Sequence, residues 1–378
     1  MLQRKYLVVI SATLIVALLF VSIVFDKRKT YKEETVDSGE MEITVTLPEK
    51  IYVANEAVID LMNGTETAKN IYNKYIEYGT MDYTKPINFL YTIENLPLDC
   101  EVETQHITVI DKDYSKEVFS QSLSPGKRSA NLENLRPDTN YEYLIQVGFS
   151  NGKKIEKSGV FKTEPSNCFL FIDGVRNVRD IGTTKTVDGR QIKKYMLYRG
   201  TELDGGVYPR YTISQHGKNY MLNVLNIKTE VDLRWYDEKT MKDALGPEVN
   251  HIYCPVAGYS EFFDTDYSAE STKAIFSKLT NFDAYPVYIH CAVGADRTGT
   301  VIYLLEALLG VDEKTLYQEW ECSVLCLGDT FYEEMDLFVK QFKTLKGNTM
   351  QEKAENYLLS IGVTQQEIDS IREILLTD

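Results

Sequence analysis

Tyr285-Pro286-Val287-Tyr288-Ile289-His290-Cys291-Ala292-Val293-Gly294-Ala295-Asp296-Arg297-Thr298-Gly299-Thr300-Val301-Ile302-Tyr303-Leu304-Leu305-Glu306-Ala307-Leu308-Leu309 is the stretch on which the reading turns. The apolar segment Tyr285 to Ile289 predicts a short buried strand, and Val301 to Leu309 predicts a buried helix. Between them stand a cysteine, five residues, an arginine and a hydroxyl residue. Strand, glycine-containing loop and helix, in that order, are the setting of an anion-binding loop that carries a nucleophile.

A cysteine attacks phosphorus as its thiolate, so such a loop has to stabilise negative charge at the sulfur. Gly294 and Gly299 let successive backbone N–H groups of Ala292, Val293, Gly294 and Ala295 curl round one anion. The predicted helix places the loop at a helix N-terminus, where anions are favoured. Arg297 adds a planar cationic fork that matches two phosphate oxygens. Thr298 sits where a hydroxyl can bond the thiolate. His290, on the strand side of Cys291, reads as a loop-ordering residue rather than a base. A buried inert cysteine is the commoner fate of the residue type. A rhodanese-like sulfur transferase also cradles a cysteine with amides, but Asp296-Arg297-Thr298-Gly299 fits phosphate better.

The loop resembles that of the bacterial tyrosine-protein phosphatase family, His-Cys-x-x-Gly-Lys-Asp-Arg-Thr-Gly. Asn177-Val178-Arg179-Asp180-Ile181-Gly182 is similar to the family's Asn-Phe-Arg-Asp-Leu-Gly. Asp188-Gly189-Arg190 and Leu197-Tyr198-Arg199-Gly200-Thr201-Glu202-Leu203 resemble its Gly-Arg and Tyr-Arg-Ser segments. Ile227-Lys228-Thr229-Glu230-Val231-Asp232-Leu233-Arg234 is similar to its Gly-Ile-Lys-Thr-Val-Ile-Asp-Leu-Arg strand, with Glu238 following, and Tyr357-Leu358 and Ile361-Gly362-Val363-Thr364 echo its C-terminal helices. The resemblance spans residues 168 to 376. It implies that Cys291 forms a phosphocysteine, that Arg297 binds the phosphoryl oxygens, and that Asp296 is the general acid.

An aspartate beside Arg297 is expected to be held ionised, giving an acidic optimum unless burial offsets the cation. Asp264 and Asp266, in Glu261-Phe262-Phe263-Asp264-Thr265-Asp266-Tyr267, are the alternative acids; their plainer reading is a solvated acidic loop. The family's loop lysine is Ala295 here, which turns the expectation away from polyanionic head groups. Asp180, Asp232 and Arg234 read as scaffold that supports the loop, with Arg199 or Arg234 as further candidates for substrate contact.

The chain has 378 residues, which predicts two domains, and a formal charge of −15, which argues against nucleic-acid partners and a basic membrane patch. Six cysteines, Cys100, Cys168, Cys254, Cys291, Cys322 and Cys326, lack the paired spacing of a zinc ribbon or disulfide scaffold, so neither metal nor cofactor is implied. Tyr6 to Phe25 is a nearly unbroken apolar run of transmembrane length, read as an uncleaved anchor spanning residues 1–26, with cleavage and secretion as the alternative. Residues 27–40 read as a charged linker.

Between residues 41 and 165 the pattern becomes short alternating strands, including Ile43 to Leu47, Ile87 to Ile93, His106 to Ile110 and Tyr141 to Val147. This predicts an all-β sandwich, and Leu135-Arg136-Pro137-Asp138-Thr139-Asn140-Tyr141 resembles the fibronectin type III segment that ends in a tyrosine corner. Glu66 to Tyr78 reads instead as a helical insertion. Residues 166–378 are expected to form an α/β domain whose central, mainly parallel sheet is flanked by helices, among them Phe331 to Phe342 and Glu367 to Leu376.

The expected function is phosphomonoester hydrolysis through Cys291, on phosphotyrosine proteins or small phosphomonoesters, by a single-pass protein of the cell membrane with its catalytic half outside. The alternatives are a phosphoinositide or inositol phosphate phosphatase and a phosphate-binding pseudoenzyme with an adhesive sandwich.

Overall fold

The computed structural model describes residues 40–378 apart from 65, 80, 236–242 and 329–331. The predicted anchor, nearly all of the linker, and Glu238 lie outside the described residues. Among the described residues, no helix is long and apolar enough to cross a membrane. Two units separate: residues 40–42 with 93–97, in which Asn95 Nδ2 donates to the Glu40 carbonyl at 3.2 Å, and residues 43–92 with 98–378.

Seven strands precede the C-terminal region: β1 (Glu42–Thr46), β2 (Ile87–Glu94), β3 (Val102–Asp111), β4 (Lys116–Leu123), β5 (Ser129–Leu132), β6 (Asn140–Phe149) and β7 (Lys154–Lys162). They form a three-stranded sheet ordered β1-β2-β5 and a four-stranded sheet ordered β4-β3-β6-β7. Burial alternates along β2 and β6, as a half-buried strand requires. Phe89 of β2 meets Tyr143 of β6 edge to face at 5.1 Å, and Tyr91 donates to Gln105 of β3 at 2.5 Å. The Tyr141 hydroxyl accepts from the Arg136 N–H at 2.7 Å.

Helices α1 (Glu56–Asn63) and α2 (Ala68–Tyr75) interrupt these strands, capped by Asn55 and Thr67. The predicted insertion thus holds α2, and α1 precedes it. Both pack on the helical core of the C-terminal region rather than on the strands, through Val58, Leu61 and Ile71.

The C-terminal region is built on a six-stranded sheet ordered β12-β11-β13-β10-β9-β8. Its strands are β8 (Cys168–Phe169), β9 (Arg179–Asp180), β10 (Leu197–Gly200), β11 (Thr229–Asp232), β12 (Asn250–Tyr253) and β13 (Val287–His290). β12, β11, β13 and β10 pair in parallel as expected, while β9 is antiparallel to both β10 and β8, so the sheet is mixed, with its parallel pairings on the β12 side. The antiparallel side arises where consecutive strands are joined without a crossover helix. The helices are α3 (Gln215–Asn219), α4 (Asp266–Leu279), α5 (Arg297–Leu309), α6 (Glu313–Leu327), α7 (Tyr332–Thr344), α8 (Met350–Ser360) and α9 (Gln365–Leu375). α5 is buried from Thr298 to Leu309, which explains why its sequence is apolar all round. The register pairs His290 with both Gly200 and Asp232, so three parallel strands end together beneath the loop that follows β13.

The front strands are joined to this region by buried polar contacts. Arg136 Nε pairs with Asp180 Oδ2 at 3.0 Å, Tyr195 donates to Asp111 at 2.7 Å, and Lys194 lies 3.1 Å from Asp111.

Candidate active site

Cys291 to Asp296 connect β13 to α5. The carbonyls of this loop are turned outward and held. Ala292 O accepts from Glu202 N at 3.2 Å, Val293 O from Asn177 Nδ2 at 3.2 Å, and Gly294 O from Arg199 Nη2. Asp296 O accepts from Thr300 N at 2.9 Å and from Thr300 Oγ1 at 3.0 Å. Among the described residues, none of the N–H groups from Ala292 to Asp296 donates to a backbone carbonyl. Groups with carbonyls fixed outward and N–H groups left available form an anion nest. Gly294 has φ +72°, and a Cβ there would overlap the carbonyl of Gly200, so the close turn needs glycine.

The N-terminus of α5 faces the same space. Asp296 is its N-cap but forms no side-chain cap, unlike Asp312 at α6 and Thr364 at α9. Arg297 opens the helix, half-buried. Thr298 is buried, and its hydroxyl has no hydrogen-bond partner among the described residues. Cys291 and Ala295 are both buried.

The Asp296 carboxyl leans instead on Gly258, where any Cβ would overlap its Oδ1. That oxygen is buried without a hydrogen-bond partner among the described residues. Burial pushes its pKa up to about 6, against the pull of Arg297 and with help from Glu261 and Glu334. This corrects the expectation of a carboxyl held ionised by Arg297: desolvation outweighs the neighbouring cation. The next residue, Tyr259, has φ +47°, an uncommon conformation for a bulky side chain. It is held by its N–H donating to Thr300 Oγ1 at 3.2 Å and by Trp320 Nε1 donating to its hydroxyl at 3.3 Å. Asp264 and Asp266 lie exposed just beyond, Asp264 ending the turn at residues 259–263 and Asp266 opening α4.

The remaining candidates surround the loop from behind. Arg199 is fully buried between the Gly294 carbonyl, Glu319 Oε2 at 2.6 Å and Ser323 Oγ at 3.3 Å, so it braces the loop. Arg179 shares Glu319, at 2.8 Å. Arg234 is enclosed by Asp232 (2.7 Å), Glu202 (2.6 Å) and Asp204 (2.7 Å), a setting that spends its charge on the scaffold. Asp180 receives Arg136, Tyr195 N at 3.1 Å and Gly182 N at 2.9 Å.

His290 Nδ1 lies 3.2 Å from the Cys291 carbonyl and Nε2 lies 2.9 Å from Glu230 Oε1. Both neighbours are acceptors, so both ring nitrogens donate and the ring is an imidazolium. Burial opposes that charge, but Asp232 and Glu230 outweigh it and raise the pKa to about 9. A fixed cation therefore stands directly behind the nucleophile.

Sequence reasoning passed over Gly258 and Glu319, which carry no local motif, and quoted Asn177 and Glu202 without assigning them a role. The two braces fall within segments that resemble family motifs, which was the available signal.

The model of the tyrosine phosphatase family matches residues 170–377. No curated protein matches the chain. One similar solved structure is the core catalytic domain of the PP-IP phosphatase SIW14 from S. cerevisiae in complex with citrate. It is 14% identical, with 38% of this chain and 78% of that one covered and a TM-score of 0.29. A second, the Siw14 catalytic core, is also 14% identical, with 43% and 88% covered and a TM-score of 0.29.

Proposed function

The chain belongs to the tyrosine phosphatase family, and from that premise we propose that it hydrolyses phosphomonoesters, with phosphotyrosine in proteins as the preferred substrate. The observation that carries this reading is the loop whose carbonyls are drawn outward by Glu202, Asn177, Arg199 and Thr300. In this reading its N–H groups, with Arg297 and Thr298 in the first turn of α5, bind one phosphoryl group beside Cys291. The Cys291 thiolate attacks phosphorus, the P–O bond to the leaving group breaks, and Asp296 gives its proton to the departing oxygen. Water then attacks the phosphocysteine, its proton returns to Asp296, and inorganic phosphate and the thiolate are released. Ala295, in place of a lysine, and a net charge of −15 favour a singly phosphorylated group over a polyanion.

The test is hydrolysis of an aryl phosphate without added metal. Vanadate should block it and Cys291→Ser should abolish it; equal rates for wild type and Cys291→Ser would overturn the mechanism. A panel of phosphotyrosine peptides, phosphoinositides and inositol phosphates then identifies the substrate, and preference for either inositol class would replace the protein-phosphatase reading.

The front strands are read as a fibronectin type III-like module at residues 41–165, supported by the Tyr141 contact to Arg136. The apolar run Tyr6 to Phe25 is read as the anchor that places the catalytic half outside the cell. Protease added to intact cells should then degrade the catalytic region, and full protection would reverse that orientation.

A further inference from the structure

Glu230, His251 and His290 come from three adjacent parallel strands, β11, β12 and β13, with Glu230 directly opposite His251 in the register. One ligand atom from each lies within 4.8 Å of the others. Glu230 Oε1 is shared: His290 Nε2 stands 2.9 Å from it and His251 Nε2 stands 3.5 Å from it. Neither His251 nitrogen completes a hydrogen bond among the described residues, although its side chain is only 7% exposed. His290 Nδ1 is tied to the Cys291 carbonyl at 3.2 Å, whereas His251 Nδ1 has only the Asp243 carboxylate nearby, at 3.3 Å and outside hydrogen-bond geometry. An imidazole with Nδ1 tied to a carbonyl or carboxylate and Nε2 directed at a shared centre is how metal-binding histidines are held. Glu230 replaces a valine of the family's strand motif, so a buried carboxylate has been placed where an apolar residue would satisfy the fold.

We propose that Glu230, His251 and His290 form a metal site of the zinc class behind the phosphate loop. Two imidazoles and a carboxylate are a borderline-soft donor set suited to zinc, and ligands of a tetrahedral zinc lie roughly 3.3 Å apart. The two separations from Glu230 Oε1, 2.9 and 3.5 Å, bracket that value, and all three ligand atoms lie within 4.8 Å of one another. Asp243, whose side chain is 61% exposed, marks the approach from solvent. A bound dication replaces the proton on His290 Nε2, ties three neighbouring strands together, and keeps positive charge behind Cys291. The site is independent of the phosphatase reading, since it needs no turnover.

The test uses the full chain, freed of metal and titrated with zinc against a chromophoric chelator. Cys291→Ser should bind one zinc per chain as wild type does, whereas His251→Gln and Glu230→Val should each weaken binding by about 100-fold or more. Glu230→Val restores the residue of the family motif and guards against a folding defect. X-ray absorption of zinc-loaded wild type should show nitrogen and oxygen ligands at about 2.0–2.2 Å and no sulfur. Loss of zinc in Cys291→Ser, retention in His251→Gln, or a sulfur ligand would overturn the site.

Discussion

A carboxyl next to a guanidinium is ordinarily held ionised, yet Asp296 rises from its usual 3.8 to about 6 because its surroundings exclude water. A general acid works in its protonated form. The rate on a substrate with a poor leaving group should therefore be highest below pH 6 and fall as pH rises through that value. Asp296→Asn should remove this limb and slow such substrates by about 10²- to 10⁴-fold, measured as kcat on an alkyl phosphate. An unchanged rate would transfer the acid role to Asp264 or Asp266. Gly258 makes a sharper test. Its φ of −96° suits any residue, so Gly258→Ala acts only through its methyl, which overlaps Asp296 Oδ1. We expect it to lower kcat on the alkyl phosphate while sparing an activated aryl phosphate, whose leaving group needs no proton; equal losses on both would show a general disturbance of the loop.

Helix α6 supplies the counter-charge behind the loop through Glu319, which meets Arg179 at 2.8 Å and Arg199 at 2.6 Å, with Ser323 Oγ beside it accepting from both arginines. Glu319→Gln leaves two buried guanidinium groups without a counter-charge, and denaturant unfolding should show a loss of about 3–5 kcal/mol. Phosphate affinity should fall as well, because Arg199 holds the Gly294 carbonyl; unchanged stability would mean that the pairing contributes little. The strand-loop-helix around Cys291 was legible in the sequence because its residues are consecutive and its chemistry is local. The bracing was not, because Glu319 lies more than a hundred residues from Arg179 and Arg199 along the chain and meets them only in the folded core. The Glu230, His251 and His290 cluster was hidden for a related reason: strand pairing, not spacing along the chain, brings the three together. The direction of the Asp296 shift was lost because a neighbouring cation is visible in a sequence and exclusion of water is not.

At the scale of the molecule, the buried contacts of Arg136, Tyr195 and Lys194 make the front strands and the catalytic region mechanically one. Calorimetry should give a single unfolding transition, and Arg136→Ala should destabilise all of it by about 3–5 kcal/mol; two separable transitions would contradict this. The net charge of −15 acts over the same scale. Raising salt from about 0.02 to 0.2 M should increase kcat/KM for a highly anionic substrate by screening repulsion, and a decrease would show that local positive potential dominates. Strand β9, only two residues long, shows how little chain carries this unity. Arg179 faces Glu319 and the loop, while its neighbour Asp180 faces Arg136 and the front strands. Inserting or deleting one residue before this pair would exchange their faces. Arginine would then confront Arg136 and aspartate would confront Glu319, so descendants of this chain can vary β9 in chemistry only as a matched set and cannot vary it in length.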